Sequence, residues 1–362
     1  TQTGFWKEFR RKRGRKVVFF VDALRFDLAQ HLKEKLRDHV SFEVKPLQVM
    51  LPSITELGMS ALLPDAEKGL KVELQEGALC VCIDDRVVST REGRRQRLKE
   101  GLGKGGMVVT LEELEQTDLS DIRTLVVISR EVDEFGTFAG DLHPQGLFEL
   151  TERIADAVRF IAENGFDHIW VVADHGFLFI PSSMKLETLS APKAGTCKRR
   201  FALGASAEGC IVKEAHQLGL DGDVTFAFPK GVDVFALPGE LGAFLHGGLS
   251  LQECIVASMY GKVAAPIRKV KVKMTIQEPI TSRTVLVTVS AESVTLFDQP
   301  RWVKVKIGER ESEPVEVSPN SPQAQMSLSW LEFDEEPPHE VKISLQDADT
   351  GEVLDERLVN VE

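Results

Sequence analysis

The sequence predicts an α/β fold with a largely parallel sheet and helices on both faces, followed by a C-terminal β-sandwich. In the first two-thirds of the 362 residues, short apolar runs alternate with helical patterns. Such alternation is typical of a parallel sheet that is covered on both sides. After Pro266 the pattern changes to short segments separated by Pro, Gly, Asp and Asn, with no long helix between them. That pattern is typical of an all-β domain.

The predicted elements of the first part follow from the type and length of each apolar run. Buried strands are predicted where β-branched and aromatic residues form continuous runs, at 16–22, 41–49, 78–85, 124–130, 168–174 and 233–238. Helices are predicted where apolar residues recur every three or four positions, for example at 28–40, 54–63 and 148–165. A sheet whose strands are joined by helices in this way is expected to be mainly parallel.

The last part, residues 266–362, is predicted to be an immunoglobulin-like β-sandwich. Its apolar or alternating segments are six to eight residues long, which suits short strands joined by tight turns. It contains no cluster of potential catalytic residues, so we expect an accessory or docking domain.

The composition is that of a soluble globular protein, with 43% hydrophobic and 28% charged residues. The net charge of −12 does not suggest general nucleic-acid binding. Positive charge is nevertheless concentrated in three runs, at 7–16, 91–99 and 198–200. Such runs are either solvated faces or an electrostatic funnel for a polyanion, and both interpretations stay open.

The cysteines and the ends of the chain bear on its environment. Five scattered cysteines without a C-x-x-C pair argue against a zinc ribbon or a disulfide framework, and we expect a reducing cytoplasm. No run approaches the roughly 20 apolar residues that cross a bilayer, so no membrane association is expected. The chain begins with Thr rather than Met, so we expect a fragment of a longer protein.

Potential metal ligands follow several of the predicted strands. Asp22 ends the first strand, Asp174 and His175 end the strand at 168–174, Asp133 follows 124–130, and His246 comes after 233–238. Ligands of open α/β sheets bind beyond the carboxyl ends of the strands, which parallel strands bring to one edge. Carboxylates and imidazoles together suit Zn²⁺ or Mn²⁺. Each residue alone is more often a cap or turn residue, so the prediction depends on their joint occurrence.

Two S-x-x-E sequences predict capped helix starts near these residues. Ser53 and Glu56 fit a capping box, which would place Thr55 in the first turn, where backbone N–H groups favour an anion. Ser250 and Glu253 fit a second capping box, just after His246 and two glycines. The bland alternative for Thr55 is a helix start with no chemistry.

Four segments in a fixed order carry a family resemblance. VDALRFD, LPSITELGMSALLP, VVADHGF and HGGLSLQE resemble the PglZ domain, a branch of the alkaline phosphatase superfamily, over roughly residues 16–260. The resemblance implies an alkaline-phosphatase-like metallohydrolase domain at 16–265, between a basic N-terminal segment at 1–15 and the sandwich at 266–362. It also implies hydrolysis or transfer of phosphate or sulfate esters, usually with two zinc ions.

The resemblance implies roles for individual residues. Thr55 matches the nucleophile of the phosphodiesterase branch, and it also belongs to the first metal site, which comprises Asp22, Thr55, Asp174 and His175. Asp133 and His246 resemble ligands of the second site. The superfamily's usual D-x-x-G-H departs here to DEFGT, which places Thr137 where a third ligand is expected. Glu134, Asp141 and His143 are alternative ligands, a single metal is another possibility, and we predict a weakened second site.

Two functions remain in competition. The first is a metal-dependent phosphodiesterase that acts on nucleotides or nucleic acid with Thr55 as nucleophile, in a bacterial phage-exclusion (BREX) system. The alternative is a catalytically weak, metal-binding scaffold that assembles with other phage-defence proteins. A sulfatase is disfavoured because PSITE lacks the C/S-x-P-x-R setting of a formylglycine precursor.

Overall fold

The structure, a computed structural model, forms two compact units, Thr1–Ala264 and Ala265–Glu362. It describes residues 2–138, 148–149, 151–181, 184–193, 195–204, 208–239, 241–263, 269–294, 298–332 and 336–362. The predicted alternative ligands Asp141 and His143 lie outside these residues, and so does the side chain of Thr137.

The first unit contains short and long strands in chain order. They are β1 Lys16–Val21, β2 Val40–Gln48, β3 Lys71–Gln75, β4 Ala78–Ile83, β5 Arg86–Val87, β6 Gly106–Thr110, β7 Thr124–Ser129, β8 His168–Ala173, β9 Leu178–Phe179, β10 Thr188–Ser190, β11 Thr196–Cys197, β12 Ala202–Leu203, β13 Ile211–Glu214, β14 Thr225–Phe228, β15 Val234–Ala236, β16 Phe244–Leu245 and β17 Ile255–Val263.

Its α-helices are α1 Phe5–Arg11, α2 Phe26–Lys35, α3 Thr55–Ala61, α4 Arg91–Leu102, α5 Leu111–Leu114, α6 Glu131–Phe138, α7 Glu152–Glu163 and α8 Leu251–Cys254. Short 3₁₀ helices lie at Gln2–Gly4, Ala66–Lys68 and Ala215–Leu218.

The central sheet has six strands in the order β2-β17-β8-β1-β7-β6. Strands β8, β1, β7 and β6 pair in parallel, whereas β17 is antiparallel to both of its neighbours. The sheet is therefore mainly parallel in strand direction, as predicted, with one reversed strand in its interior.

Both faces of the sheet are buried, which explains the continuous apolar strand sequences. Along β1, Val17, Phe19 and Val21 belong to one core cluster, while Val18 and Phe20 belong to the other. Helices α2, α5 and α7 contribute to the first cluster, and α1, α3 and α4 contribute to the second. Because neighbouring side chains of a strand point to opposite faces, a strand buried on both sides needs apolar residues at every position.

The predicted basic N-terminal segment contributes to the core. Its residues form α1, and the side chains of Phe5, Trp6 and Phe9 are buried in the second cluster. The Trp6 indole N–H donates to the carbonyl of Leu62 at 2.6 Å. The basic side chains of α1 itself, Lys7, Arg10 and Arg11, are exposed.

Two predictions about the central sheet were wrong. The strand predicted at 78–85 forms as β4 in a separate antiparallel sheet with β3 and β5, and the strand at 233–238 forms as β15, paired with β10. The helix predicted after Ser250 is confirmed together with its capping box of Ser250 and Glu253, but it ends after four residues, Leu251–Cys254, where the chain becomes β17. The physical reason is that the apolar, β-branched run beginning at Ile255 fills the place between β2 and β8, where it gains two rows of hydrogen bonds.

The second unit consists of antiparallel sheets around one core. Its strands are β18 Lys271–Ile276, β19 Thr284–Ser293, β20 Arg301–Ile307, β21 Arg310–Glu311, β22 Val315–Val317, β23 Gln323–Ser329, β24 Glu340–Asp347 and β25 Val353–Asn360. One sheet has the order β18-β19-β23, and the other contains β21-β20-β24-β25 with β22 also on β20. Buried residues of both sheets form a single cluster, while the immunoglobulin-like topology stays a prediction.

Candidate metal centre and active site

Three buried polar residues meet at the carboxyl edge of the central sheet. Strand β1 is in register with β8, so that Val21 lies beside Ala173. The next residues, Asp22 and then Asp174 with His175, are therefore neighbours beyond the strand ends. All three are buried, with exposed fractions of 3%, 0% and 0%, respectively. The sheet register thus brings together residues that are about 150 positions apart in the chain.

The side-chain atoms of this group face one another without donors between them. Asp22 Oδ1 and Asp174 Oδ2 are buried, and neither has a hydrogen-bond partner among the described residues. His175 Nε2 lies 3.6 Å from Asp22 Oδ1 and 3.4 Å from Asp174 Oδ2. One ligand atom from each residue lies within 4.8 Å of the other two. Two unpartnered carboxylate oxygens and an imidazole nitrogen are a donor set that fits Zn²⁺ or Mn²⁺.

The other atoms of Asp174 and His175 are held by the backbone. Asp174 Oδ1 accepts hydrogen bonds from the N–H groups of Ala23, at 3.1 Å, and His175, at 2.8 Å. His175 Nδ1 lies 2.8 Å from the carbonyl oxygen of Gly176, which can only accept, so Nδ1 carries the proton. The lone pair of Nε2 therefore faces the two carboxylates, an arrangement that a cation would stabilise.

The electrostatics of the two carboxyl groups indicate the same need for a cation. Burial raises the pKa of Asp22 well above its usual value, and the nearby Asp174 raises it further. Burial also raises the pKa of Asp174, to about 7. Two buried carboxylates at one site repel each other unless one takes up a proton or a cation is bound.

Thr55 is the first residue of α3 and points to the same group. Its hydroxyl oxygen lies 3.1 Å from His175 Nε2. Helix α3 approaches so closely that a Cβ atom added to Gly58 would lie 2.5 Å from the carbonyl oxygen of Asp174. Gly58 therefore allows the helix backbone to lie against the Asp174 backbone, which fixes Thr55 beside the group.

The predicted capping box of Ser53 and Glu56 is wrong. Ile54 is the residue before the helix, and no side chain caps its first turn. Ser53 Oγ instead donates to the carbonyl of Gly248 at 2.9 Å and accepts from the N–H of Gly247 at 3.1 Å. The serine is buried, so its hydroxyl must find partners in the neighbouring loop, and it joins that loop to the Thr55 segment.

His246 comes to this edge by a different route from the predicted one. It follows β16, which pairs with β9 just after His175, and not a strand of the central sheet. Its ring stacks on that of His175, with 4.4 Å between centroids and 6° between planes. His246 Nδ1 lies 3.3 Å from the carbonyl of Ser53, and burial followed by His175 lowers the pKa of His246 to about 3. His246 is therefore neutral and able to act as a ligand.

Asp133 stands apart from the compact group. It lies in the first turn of α6 and lines the same cavity as Asp22 and Thr55. Burial raises its pKa, whereas the nearby His175 lowers it. Glu134, one of the predicted alternatives, forms an ion pair with Arg130 at 3.0 Å. Among the described residues, Asp133 and His246 thus lie beside the compact group of Asp22, Asp174 and His175 and are not members of it.

A model of the BREX system PglZ alkaline phosphatase-like domain matches residues 6–260 of the sequence. The chain belongs to the PglZ family. Two relatives are similar to most of this chain, which matches only a part of each relative. The alkaline phosphatase-like protein PglZ of Bacillus cereus (strain H3081.97) is 26% identical over 301 residues, which are 75% of this chain and 34% of that protein. The alkaline phosphatase-like protein BrxZ of Escherichia coli O9:H4 (strain HS) is 30% identical over 260 residues, which are 67% of this chain and 30% of that protein.

This PglZ-family chain therefore spans about a third of the length of these curated relatives. Among solved structures, murine ectonucleotide pyrophosphatase/phosphodiesterase 5 aligns with a TM-score of 0.43 and 10% identity, over 70% of this chain and 89% of the other. In the part of the chain that the structure describes, no helix is long and apolar enough to cross a membrane.

Sequence reasoning missed a buried ion pair that supports the site of this PglZ domain. Glu253 accepts hydrogen bonds from Arg200 Nε at 3.1 Å and Nη2 at 2.6 Å, and both side chains are fully buried. Glu253 also accepts from the N–H groups of Gly248 and Ser250. The pair therefore fixes the loop that carries His246.

The basic run at 198–200 is accordingly used inside the protein. Arg200 pairs with Glu253, and Arg199 donates to backbone carbonyls at 235, 237, 238 and 239. Of the three residues only Lys198 is exposed. Neither a solvated face nor an electrostatic funnel therefore describes Arg199 and Arg200, whose guanidinium groups bind partners within the protein.

Replacing Arg200 with Met should lower the free energy of unfolding by about 3–5 kcal/mol, because Glu253 would be left buried without its partner. Urea unfolding followed by tryptophan fluorescence measures the change. The double variant Arg200→Met/Glu253→Gln should recover part of it. Arg37→Met, which removes an exposed pair with Asp38, should cost less than about 0.5 kcal/mol. A loss below about 1 kcal/mol for Arg200→Met would contradict the supporting role.

Proposed function

We propose that this chain is a metal-dependent phosphodiesterase whose nucleophile is Thr55 and whose first metal site comprises Asp22, Thr55, Asp174 and His175. The observation that supports this most strongly is the arrangement around His175 Nε2. A hydroxyl oxygen lies 3.1 Å away, and two unpartnered carboxylate oxygens lie 3.4 and 3.6 Å away. The carboxylates and the imidazole can bind a cation, and the adjacent hydroxyl can serve as the nucleophile for a substrate in the cavity.

Each residue has a separate part in the proposed reaction. Asp22, Asp174 and His175 would hold the ion, which supplies positive charge that lowers the pKa of a coordinated hydroxyl and stabilises phosphoryl oxygens. In the proposed step the Thr55 hydroxyl gives up its proton to solvent and attacks phosphorus, the alcohol of the ester leaves, and water then hydrolyses the Thr55–phosphate ester. Helix α3 fixes the position of Thr55, so little orientation is lost on reaching the transition state. Gly176 and the backbone at Ala23 keep the imidazole and the Asp174 carboxylate in place.

Asp133 and His246 are proposed as ligands of a second, weaker metal site. Both flank the first group, but neither belongs to the set of ligand atoms of Asp22, Asp174 and His175 that all lie within 4.8 Å of one another. Thr137 stands where the superfamily pattern has a histidine. We therefore expect one tightly bound Zn²⁺, with Mn²⁺ as the alternative, and a second ion only at higher metal concentration.

The biological setting is proposed from the family. The matching domain model is described as the PglZ domain of the BREX system, and the two relatives, named PglZ and BrxZ, are more than twice as long as this chain. We propose a cytoplasmic role in phage defence, in assembly with other proteins of the system, with nucleotides or nucleic acid as substrates. Residues 16–265 would carry out the hydrolysis, and residues 266–362 would serve as an accessory domain.

The test is elemental analysis of the purified protein together with hydrolysis of bis-p-nitrophenyl phosphate in the presence of Zn²⁺ or Mn²⁺. We expect close to one equivalent of metal, and turnover that a chelator removes and added metal restores. Bound metal without turnover of any aryl phosphate diester, monoester or sulfate would instead support the binding scaffold. A protein that takes up no metal would contradict both.

A further inference from the structure

The cavity beside Thr55 has a basic wall that the proposed chemistry does not use. The cavity has a volume of about 540 Å³, and Asp22, Thr55 and Asp133 form part of its lining. Helix α4 contributes Arg91, Arg94, Arg95 and Leu98 to the lining. This spacing of three, four and seven residues places the four side chains on one face of the helix. The cavity lining therefore combines acidic side chains with the basic side chains of one helix face.

The guanidinium groups on this face are poorly neutralised. Arg94 donates to the backbone carbonyl of Ser89 at 2.6 Å, and Arg95 to that of Val108 at 3.5 Å. Within the described part of the chain, neither arginine has a carboxylate within 4.0 Å, although both are half-buried. A guanidinium group has five N–H donors, so most of those on Arg94 and Arg95 are available to a ligand.

The other arginines of the same region show that the difference is not a general property of helix α4. Arg97 pairs with Asp65 at 3.0 Å and with Asp84 at 2.8 Å, and Arg86 pairs with Glu100 at 3.1 Å. Carboxylates thus pair with Arg97 and Arg86, which are not part of the cavity lining, and with Arg130, which is. Arg94 and Arg95 line the cavity without such an ion pair among the described residues, so their charge is available to a ligand.

Arg94 is also electrostatically connected to the proposed metal site. Burial lowers its pKa, while the charges of Asp174, Glu56 and Asp22 act in the opposite direction. Arg94 and Thr55 also line the same cavity, so one ligand in that cavity can meet both side chains. The positive charge of Arg94 would attract a negatively charged part of that ligand.

We propose that Arg94 and Arg95 bind a second phosphate group of a small substrate, next to the phosphate that Thr55 attacks, with Arg91 at the exposed end. This rests on the proposed function and narrows its substrate class to compounds with at least two phosphate groups, such as nucleoside di- or triphosphates. Arginine suits this task because its planar fork makes two parallel, charge-assisted hydrogen bonds to phosphate oxygens.

The shape and lining of the cavity favour a small molecule over a nucleic-acid strand. Its volume is in the range of sites for small ligands, roughly 300–1,000 Å³. Phe20, Met59, Leu63 and Ile128 add an apolar part to the lining. Nucleic-acid strands are usually bound in open grooves with phosphate contacts along several nucleotides. Arg199 and Arg200 do not extend the basic surface toward such a groove, because their guanidinium groups bind partners within the protein.

The first measurement compares two substrates of the metal-loaded protein. ATP carries neighbouring phosphates, whereas the p-nitrophenyl ester of thymidine 5′-monophosphate carries one. In the Arg94→Gln/Arg95→Gln variant, kcat/KM for ATP should fall at least about 50-fold, mainly through KM. For the single-phosphate ester it should change less than about 3-fold. Lys99→Gln, an exposed change on the same helix outside the cavity lining, should alter neither. Equal losses on both substrates, or none on ATP, would overturn the proposal.

The second measurement does not depend on turnover. Isothermal titration of the metal-free protein with inorganic tripolyphosphate should show binding that the double variant weakens at least about 10-fold and Lys99→Gln preserves. If no substrate is hydrolysed but this difference is found, the phosphodiesterase fails and the phosphate subsite stands. Unchanged tripolyphosphate binding would overturn the subsite. Stronger dependence of single-stranded oligonucleotide binding on these arginines would overturn the small-molecule assignment.

Discussion

Replacing Thr55 with alanine should lower kcat for bis-p-nitrophenyl phosphate at least about 10³-fold, because it removes the proposed nucleophile. The expected cost in stability is small. Thr55 is half-buried, its hydroxyl contacts His175 Nε2, and the alanine keeps the start of helix α3. Steady-state kinetics and thermal unfolding of the same preparation separate the two effects.

The conservative variant Thr55→Ser gives the matched control. It keeps the hydroxyl and should retain activity within about 10-fold of the original protein, whereas the alanine variant should still contain most of the metal. Turnover that is unchanged in Thr55→Ala would rule out the proposed mechanism. A parallel loss of activity in alanine and serine variants would show that the threonine methyl group, and not the hydroxyl, is what the site requires.

Replacing Asp174 with asparagine should abolish metal binding and, with it, hydrolysis, while stabilising the metal-free protein. Asparagine keeps the Oδ1 acceptor that faces the N–H groups of Ala23 and His175. It replaces the unpartnered, buried Oδ2 by a neutral group. We expect a gain in the free energy of unfolding of about 1–3 kcal/mol without metal, since an unpaired buried charge is removed.

The pH dependence of this gain has a definite sign. Burial raises the pKa of Asp174 from the model-compound value of 3.8 to about 7 in the folded chain. Between these two pKa values the Asp174 carboxyl is protonated in the folded chain and ionised in the unfolded chain. The free energy of unfolding therefore falls as the pH rises through this range. The difference between Asp174→Asn and the original protein should be largest above pH 7 and should shrink toward pH 4.

Elemental analysis and thermal unfolding in chelator measure both parts of this prediction. The control variant Asp38→Asn removes an exposed carboxylate that pairs with Arg37. It should change neither metal content nor stability appreciably. A metal-free Asp174→Asn protein that is less stable than the original would show that this carboxylate is structural. Retained metal would show that another ligand set is used.

The compact part of the site could be predicted from the sequence because it depends on strand ends. Asp22, Asp174 and His175 directly follow apolar runs, and parallel pairing of β1 with β8 is enough to bring them together. Thr55 lies in the first turn of α3 as predicted, although the capping box of Ser53 and Glu56 on which that prediction depended does not form. Here local pattern and sheet topology point to the same arrangement.

The supporting contacts could not be predicted because they join distant segments by side chains of ordinary appearance. The sequence predicts Ser53 to be a helix cap, yet its hydroxyl forms hydrogen bonds with the backbone of the loop at 247–248. Arg200 reads as part of a basic run, yet it is buried against Glu253. The run at 91–99 reads as one charged stretch, whereas only the helical period separates its cavity-facing arginines from Arg97. Each depends on tertiary packing that a single sequence does not contain.

The reversed strand β17 has a consequence for how the first unit is assembled during synthesis. Because β17 lies between β2 and β8, the sheet is divided into β2 on one side and β8-β1-β7-β6 on the other until residues 255–263 are available. While a ribosome is still making the preceding residues, the edge of β8 is unpaired and open to other strands. The strands that carry Asp22 and Asp174 can already pair at that stage. Joining of β2, which leads to Thr55, must wait for the last strand to emerge.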